Sequence, residues 1–517
     1  MEGVVAAGHK QTAAAAVEVL NQGGNAFDAA VAGVLAACVA ESVLTSLGGG
    51  GFLLAHPAAG ESVLFDFFSQ TPAEKALKYP LDFYPIYADF GDTVQEFHVG
   101  LGSMAVPGVV KGLVHVHRRL GRLPLAAVAA PAIDLARNGV VVNEFFAYVY
   151  QLLGPILLAT ERSRAIYAPQ GDLLKAGETL YMPDFANSLE RLVDIGMEAF
   201  WEQMAAHLTQ TQGGYLTPQD FANYQIIERQ PLCLDYHGTQ LLTNPPPSAG
   251  GGLIACTLAL LADCELKGHG SPGHLLALSQ AMRFTNVARR DGYDARLHDP
   301  TVAEAFLSSG HLNQYRGELH AAIVSLGADS APANKLGSTT HLSVIDGDGN
   351  AASVTTSNGE GSSHVMPGTD IMINNMLGEE DLNPHGFHQW QPNQRISSMM
   401  APTMVLRNGR PYLVLGSGGS NRIRTAILQV ISNLVDFQMP LESAVAAPRI
   451  HWENNTFHLE PGYDRAILAP ILGEATPVWW QAQNMFFGGV HAVGLGDDGD
   501  LHGAGDPRRQ GSVAVAR

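Results

Sequence analysis

The chain has 517 residues, 46% hydrophobic and 15% charged, with a formal net charge of -19 at pH 7. That length and apolar content give a large buried core and exclude a disordered chain. With 30 Lys+Arg against 49 Asp+Glu, no basic face for phosphate is available, so neither a nucleic-acid nor a membrane partner is expected.

Length alone suggests more than one domain. The chain starts at Met1 without a basic stretch and apolar core of a signal, so a cytoplasmic protein is expected, or a periplasmic one if a signal was removed. The apolar run from Ala29 to Ala40 is too short to span a bilayer. Cys38, Cys233, Cys256 and Cys264 have no zinc or redox spacing and read as buried small hydrophobes without disulfides. No metal or cofactor is expected, since His341, His364, His385, His388 and His451 lack ligand spacing and read as surface or supporting residues.

In chain order, residues 11 to 40 read as two helices split by Gly23-Gly24-Asn25, with Asn25 capping the second. Gly48-Gly49-Gly50-Gly51 precedes the apolar Phe52-Leu53-Leu54 without a following Lys-Ser/Thr. It reads as close backbone packing at a strand start rather than a phosphate loop. Phe52 to Phe68 alternates as a hairpin around Ala58-Ala59-Gly60, and Ala105-Val106-Pro107-Gly108 precedes helices from about 109 to 210. Strand pairs around Tyr236-His237-Gly238 occupy 225 to 243, and Asn244 to Gly252 then turns into an apolar helix. Residues 308 to 337 are polar and small, as an exposed, mobile cleavage segment would be.

Thr339-Thr340-His341-Leu342-Ser343-Val344-Ile345 then alternates up to the reversal Asp346-Gly347-Asp348-Gly349-Asn350, and a second strand runs from Ala351 to Ser357. A turn centred near Asp348 sets Thr339 opposite Thr356 or Ser357. A threonine becomes a nucleophile once a base is beside it, and an N-terminal threonine supplies its own α-amine. Plain β propensity also explains Thr-Thr at a strand start, so the hairpin alone leaves both readings open. Strands follow at 370–375, 402–407 and 411–416, then a helix from about 422 to 436.

Six stretches, in order, resemble the γ-glutamyltransferase (γ-glutamyltranspeptidase) family of N-terminal-nucleophile hydrolases. They are Glu18 to Ala30, Leu47 to Phe52, Pro245 to Gly251, Thr339 to Val344, Arg395-Ile396-Ser397-Ser398-Met399 and Gly416-Ser417-Gly418-Gly419-Ser420. The resemblance implies an α+β fold, a four-layer αββα sandwich forming a single domain. It implies a precursor that cuts its own Ser338–Thr339 bond into subunits 1–338 and 339–517, held as a heterodimer, with higher assembly left open. It implies Thr339 as nucleophile, Ser357 orienting it, Gly418 and Gly419 as oxyanion donors, Ser397 and Ser398 binding a substrate carboxylate, and Asn358 and Glu379 as further substrate contacts. The partner implied is a small-molecule amide, a γ-glutamyl compound by default.

Three departures bear on that substrate. Phe68 stands where the family places an arginine for the α-carboxylate, and phenylalanine cannot make that charged pair. Met376 replaces a polar residue, with Glu379 at the aspartate position, and the segment from Asn375 to Ser397 is short. A less polar, more open pocket is expected, favouring water as acceptor. An acylase of cephalosporin type or a small-amide hydrolase is the nearest alternative, and a non-catalytic scaffold the alternative of another class. Arg422 and Arg424 read as a helix-start salt bridge or as replacements for the missing arginine. Asp506-Pro507-Arg508-Arg509 reads as structural ion pairs.

Overall fold

The computed structural model describes the chain apart from residues 1–2, 76–78, 90–93, 323–337, 384–385, 454–455, 467, 469–475 and 497–498. Strands with alternating side chains build two facing sheets. Among the described residues, the first runs edge to edge Ser512–Ala516, Gly3–Ala7, Thr340–Asp346, Ala351–Ser357, Gly50–His56, Val63–Phe67 and Ile227–Arg229. The second runs Leu501–Ala504, Gly489–Leu495, Arg410–Gly418, Thr403–Arg407, Thr239–Thr243 and Leu232–Tyr236. Helices Lys10–Asn21 and Ala26–Ala40 cover the first sheet, and Ala249–Leu261 and Arg422–Val435 the second. This is the expected four-layer αββα sandwich.

The hairpin at its centre is buried on both faces. Leu342, Val344, Ala352 and Val354 join the apolar cluster under the first helix layer. The alternate residues face the second sheet and are partly polar. There Ser353 Oγ donates to the Leu415 carbonyl at 2.9 Å and Ser343 Oγ to that of His491 at 3.0 Å. A one-residue slip would exchange these faces, so the register is fixed.

Thr340 pairs with Thr356 and Ile345 with Ala351, and continuing that register sets Thr339 across from Ser357. The turn is locked by Asp346, whose Oδ1 accepts the Asp348 and Asn350 amides at 3.0 and 2.9 Å. Its Oδ2 accepts the Ala26 amide at 2.9 Å, tying the turn to a helix start that Asn25 and Asp28 close with a capping box. The glycine run is close packing, as expected: a Cβ on Gly51 would sit 2.7 Å from the Thr355 carbonyl oxygen.

Three expectations differ from what is observed. Residues 309–322 form the helix Ser309–Ala322, because Leu312, Tyr315 and Leu319 recur at helical spacing and bury one stripe. The rest of that expected cleavage segment, 323–337, lies outside the described residues. The run 370–375 shrinks to Ile371–Met372, since Asp370 has φ 52° and Asn374 turns its side chain to the Gly48 and Ala105 carbonyls. All four cysteines are free, but Cys233 is exposed on an edge strand and Cys264 half-buried. No helix among the described residues is long and apolar enough to cross a membrane.

Candidate active site

Ser338 and Thr339 immediately precede the central strand and are both buried. Ser338 is held at every polar atom. Its amide donates to Glu360 Oε1 at 3.1 Å, its hydroxyl donates to Glu360 Oε2, and its carbonyl accepts Ser357 Oγ at 2.6 Å. On the far side of the peptide, the Thr339 carbonyl accepts Arg509 Nη1 at 3.1 Å. Gly418 packs against that same carbonyl so closely that a Cβ would overlap it. The Ser338–Thr339 bond is thus fixed from both ends.

In front of it opens a cavity of about 120 Å³. That is smaller than the several hundred Å³ of ordinary small-molecule sites, and Ser338 itself forms part of the wall. Its lining includes the apolar Phe68, Leu297, Met376 and Ile423 and the acids Asp294, Glu360, Glu379 and Asp381. Glu360 and Glu379 are adjacent, the Glu360 amide donating to Glu379 Oε1 at 3.1 Å and to Asn375 Oδ1 at 2.8 Å. Burial pushes the Glu360 carboxyl up to about 7. Burial, then the charge of Glu360, holds Glu379 well above the usual carboxylate range. Two carboxyls this close in a dry wall resist double ionisation.

Of the residues expected from sequence, Thr339, Ser357, Ser397, Ser398 and Glu379 line this one cavity, and Ser338 with them. Gly418 abuts Thr339. Gly419 has φ 124°, a conformation suited to glycine, and leads into Ser420 and Asn421 on the cavity wall. Asn358 is set back from the wall, its Oδ1 toward Gly49. Ser398 is braced by the Pro-rich turn, its carbonyl accepting Ser248 Oγ at 2.9 Å and the Ala249 amide at 2.7 Å.

The position of the family's missing arginine is filled by Phe68, stacked on Phe52 with centroids 5.3 Å apart. Neither Arg422 nor Arg424 replaces it. Arg422 Nε donates to the Phe486 carbonyl at 3.1 Å, Arg424 lies 3.7 Å from Glu453, and neither lines the cavity. Among the described lining residues the guanidinium is Arg289, which pairs with Asp294 at 2.7 Å. The C-terminal motif divides as well. Arg508 makes ion pairs, as expected, with Asp506 and Glu460, whereas Arg509 reaches the Thr339 carbonyl.

Sequence reasoning missed Glu360, Glu41, Arg289 and Arg509. Glu41 ends the apolar helix Ala26–Ala40 and is fully buried. It accepts Thr12 Oγ1 at 2.6 Å and the Thr340 hydroxyl, and burial pushes it up to about 7. An acid following fifteen buried helix residues was a signal that could have found it. His341 is a supporting residue, bonded to Thr355 Oγ1 at 2.8 Å and Ser343 Oγ at 2.9 Å. His385 lies outside the described residues.

Residues 12–516 match the model of the family described as gamma-glutamyltranspeptidase. The chain is 32% identical to the glutathione hydrolase proenzyme of Escherichia coli, over 98% of this chain and 90% of that one. It is equally 32% identical to the acylase ACY 1 proenzyme of a Pseudomonas strain, over 99% and 94%. Its fold superposes on a cephalosporin acylase from Bacillus halodurans with a TM-score of 0.84 at 25% identity, covering 99% and 95%. With the sandwich and cavity in place, the chain belongs to the gamma-glutamyltranspeptidase family and is a hydrolase of the N-terminal-nucleophile class.

Proposed function

We propose that this chain is a precursor that cleaves its own Ser338–Thr339 bond into subunits 1–338 and 339–517 and then hydrolyses an amide through an acyl-enzyme on Thr339. The observation that carries this reading is the Ser357 hydroxyl on the Ser338 carbonyl at 2.6 Å. That contact polarises the carbonyl next to the threonine, which is what intramolecular attack needs. After cleavage the new α-amine of Thr339 is the base, and Ser357 orients the hydroxyl. Gly418 and Gly419 supply backbone donors to the oxyanion. Ser397 and Ser398 take a substrate carboxylate, and Glu379, with Asn358 behind it, takes an amino group.

A γ-glutamyl amide is the default substrate, and hydrolysis is favoured over transfer because Phe68 and Met376 make part of the lining apolar and the segment from Asn375 to Ser397 is short. The same two residues favour a second reading, an acylase releasing a less polar acyl group. Intact mass of the purified protein beside a Thr339→Ala variant tests the first claim. Two fragments with a new N-terminal threonine are expected from the first and one chain from the second; a wild-type chain that stays whole refutes self-processing. Turnover of a γ-glutamyl anilide against a glutaryl anilide, which lacks the amino group, then separates the substrates.

A further inference from the structure

We propose that Glu360 is a positioning residue for self-cleavage: its carboxylate grips Ser338 by amide and hydroxyl and keeps the Ser338 carbonyl carbon within reach of the Thr339 hydroxyl. The inference rests on the self-processing reading and adds a residue to it. A peptide carbonyl ahead of a nucleophile reacts only if it is held close and correctly turned. Ser357 fixes the carbonyl oxygen, but one hydrogen bond leaves rotation about the residue open. The two bonds to Glu360, at 3.1 Å from the amide and a second from the hydroxyl, remove that freedom. Glu360 is itself fixed by its amide bonds to Asn375 and Glu379. It is 4% exposed, and such burial strengthens both bonds.

The step it serves balances as follows. Thr339 Oγ1 bonds to the Ser338 carbonyl carbon while its proton passes to the Thr339 nitrogen, and the C–N bond breaks to give an ester. Water then adds to that carbon and the C–Oγ1 bond breaks. One water proton ends on Oγ1 and the other on the freed amine, leaving a Ser338 carboxylate and a Thr339 ammonium. Glu360 takes no proton in either step. Its ionised form accepts both Ser338 donors, whereas the protonated form gives up one acceptor oxygen.

The groups that set this ionisation are Glu379 and Asp381 on the neighbouring turn and Arg509 from the C-terminal segment; Arg289 and Asp294 line the same cavity. Cleavage is therefore fastest with Glu360 ionised and slows as pH falls below about 7.

Full-length chain made by cell-free synthesis tests this, with cleavage followed by intact mass from pH 5.5 to 8.5. Glu360→Gln keeps the shape and removes the charge. It is expected to slow cleavage at least ~10-fold and to flatten the pH profile, a change a purely structural role would not produce. Ser338→Ala removes one grip and is expected to slow cleavage a few-fold with the acid limb retained. Glu360→Gln cleaving at the wild-type rate, or slowly with an intact acid limb, overturns the proposal, as does Ser338→Ala at the wild-type rate. A wild-type chain that never cleaves refutes self-processing instead, so the two failures are distinguishable.

Discussion

Glu41 and Glu360 both bind the run Ser338-Thr339-Thr340, Glu41 at Thr340 and Glu360 at Ser338, and both are buried and pushed up to about 7 by that burial. Their titration is alike, and their surroundings are not. Glu41 binds hydroxyls of the fold itself, Thr12 on the first helix and Thr340 on the central strand, and borders a space with no room for a water. Glu360 binds Ser338, on the acyl side of the bond proposed for self-cleavage, and faces a cavity. A raised carboxyl therefore does not by itself mark a functional group; what it grips and whether a reactant can reach it decide.

The comparison can be broken most sharply at the threonine both glutamates flank. Thr339→Ala is expected to abolish cleavage and to lower amide turnover at least ~10³-fold, read by mass and by anilide hydrolysis. Gly418→Ala comes next. Its methyl overlaps the Thr339 carbonyl and displaces Thr339, so turnover is expected to fall about 100-fold while circular dichroism stays unchanged.

The two acids separate in stability. In a Thr339→Ala background, Glu41→Ala strands two buried hydroxyls and is expected to cost about 2–4 kcal/mol in urea unfolding. Glu360→Ala opens onto the cavity, where water replaces it, and is expected to cost about 1 kcal/mol. Equal losses would dissolve the distinction.

Titration sharpens it further. The folded Glu41 carboxyl binds its proton up to about pH 7 and the unfolded one only to about 4.5. Its contribution to stability is full below pH 4.5 and is lost as pH rises to 7, and Glu41→Gln is expected to flatten that slope. Ser357→Thr keeps the hydroxyl on the Ser338 carbonyl and is expected to change cleavage by about 3-fold or less.

Much of this was legible in the chain. The turn count about Asp348 set Thr339 across from Thr356 or Ser357, because an antiparallel register follows from the turn and the alternation, and the observed pairing of Thr340 with Thr356 selects Ser357. Gly23-Gly24-Asn25 announced a helix break and a cap through local chemistry alone. Glu360 was not legible, since a lone acid between Gly359 and Gly361 looks like a solvated turn until the fold buries it. Arg509 was read with Arg508 as an ion pair, and only the approach of the C-terminal segment to the central strand separates their tasks.

The sequence by itself determined most of the strands and helices and the family, because these rest on periodicity, turn residues and motif order. The tertiary structure decided which charges meet the Ser338–Thr339 bond. Glu41, Glu360 and Arg509 lie far apart in the chain and come together only when two sheets and two helix layers stack. Their chemistry arises from the loss of water that stacking imposes, and no local pattern encodes it.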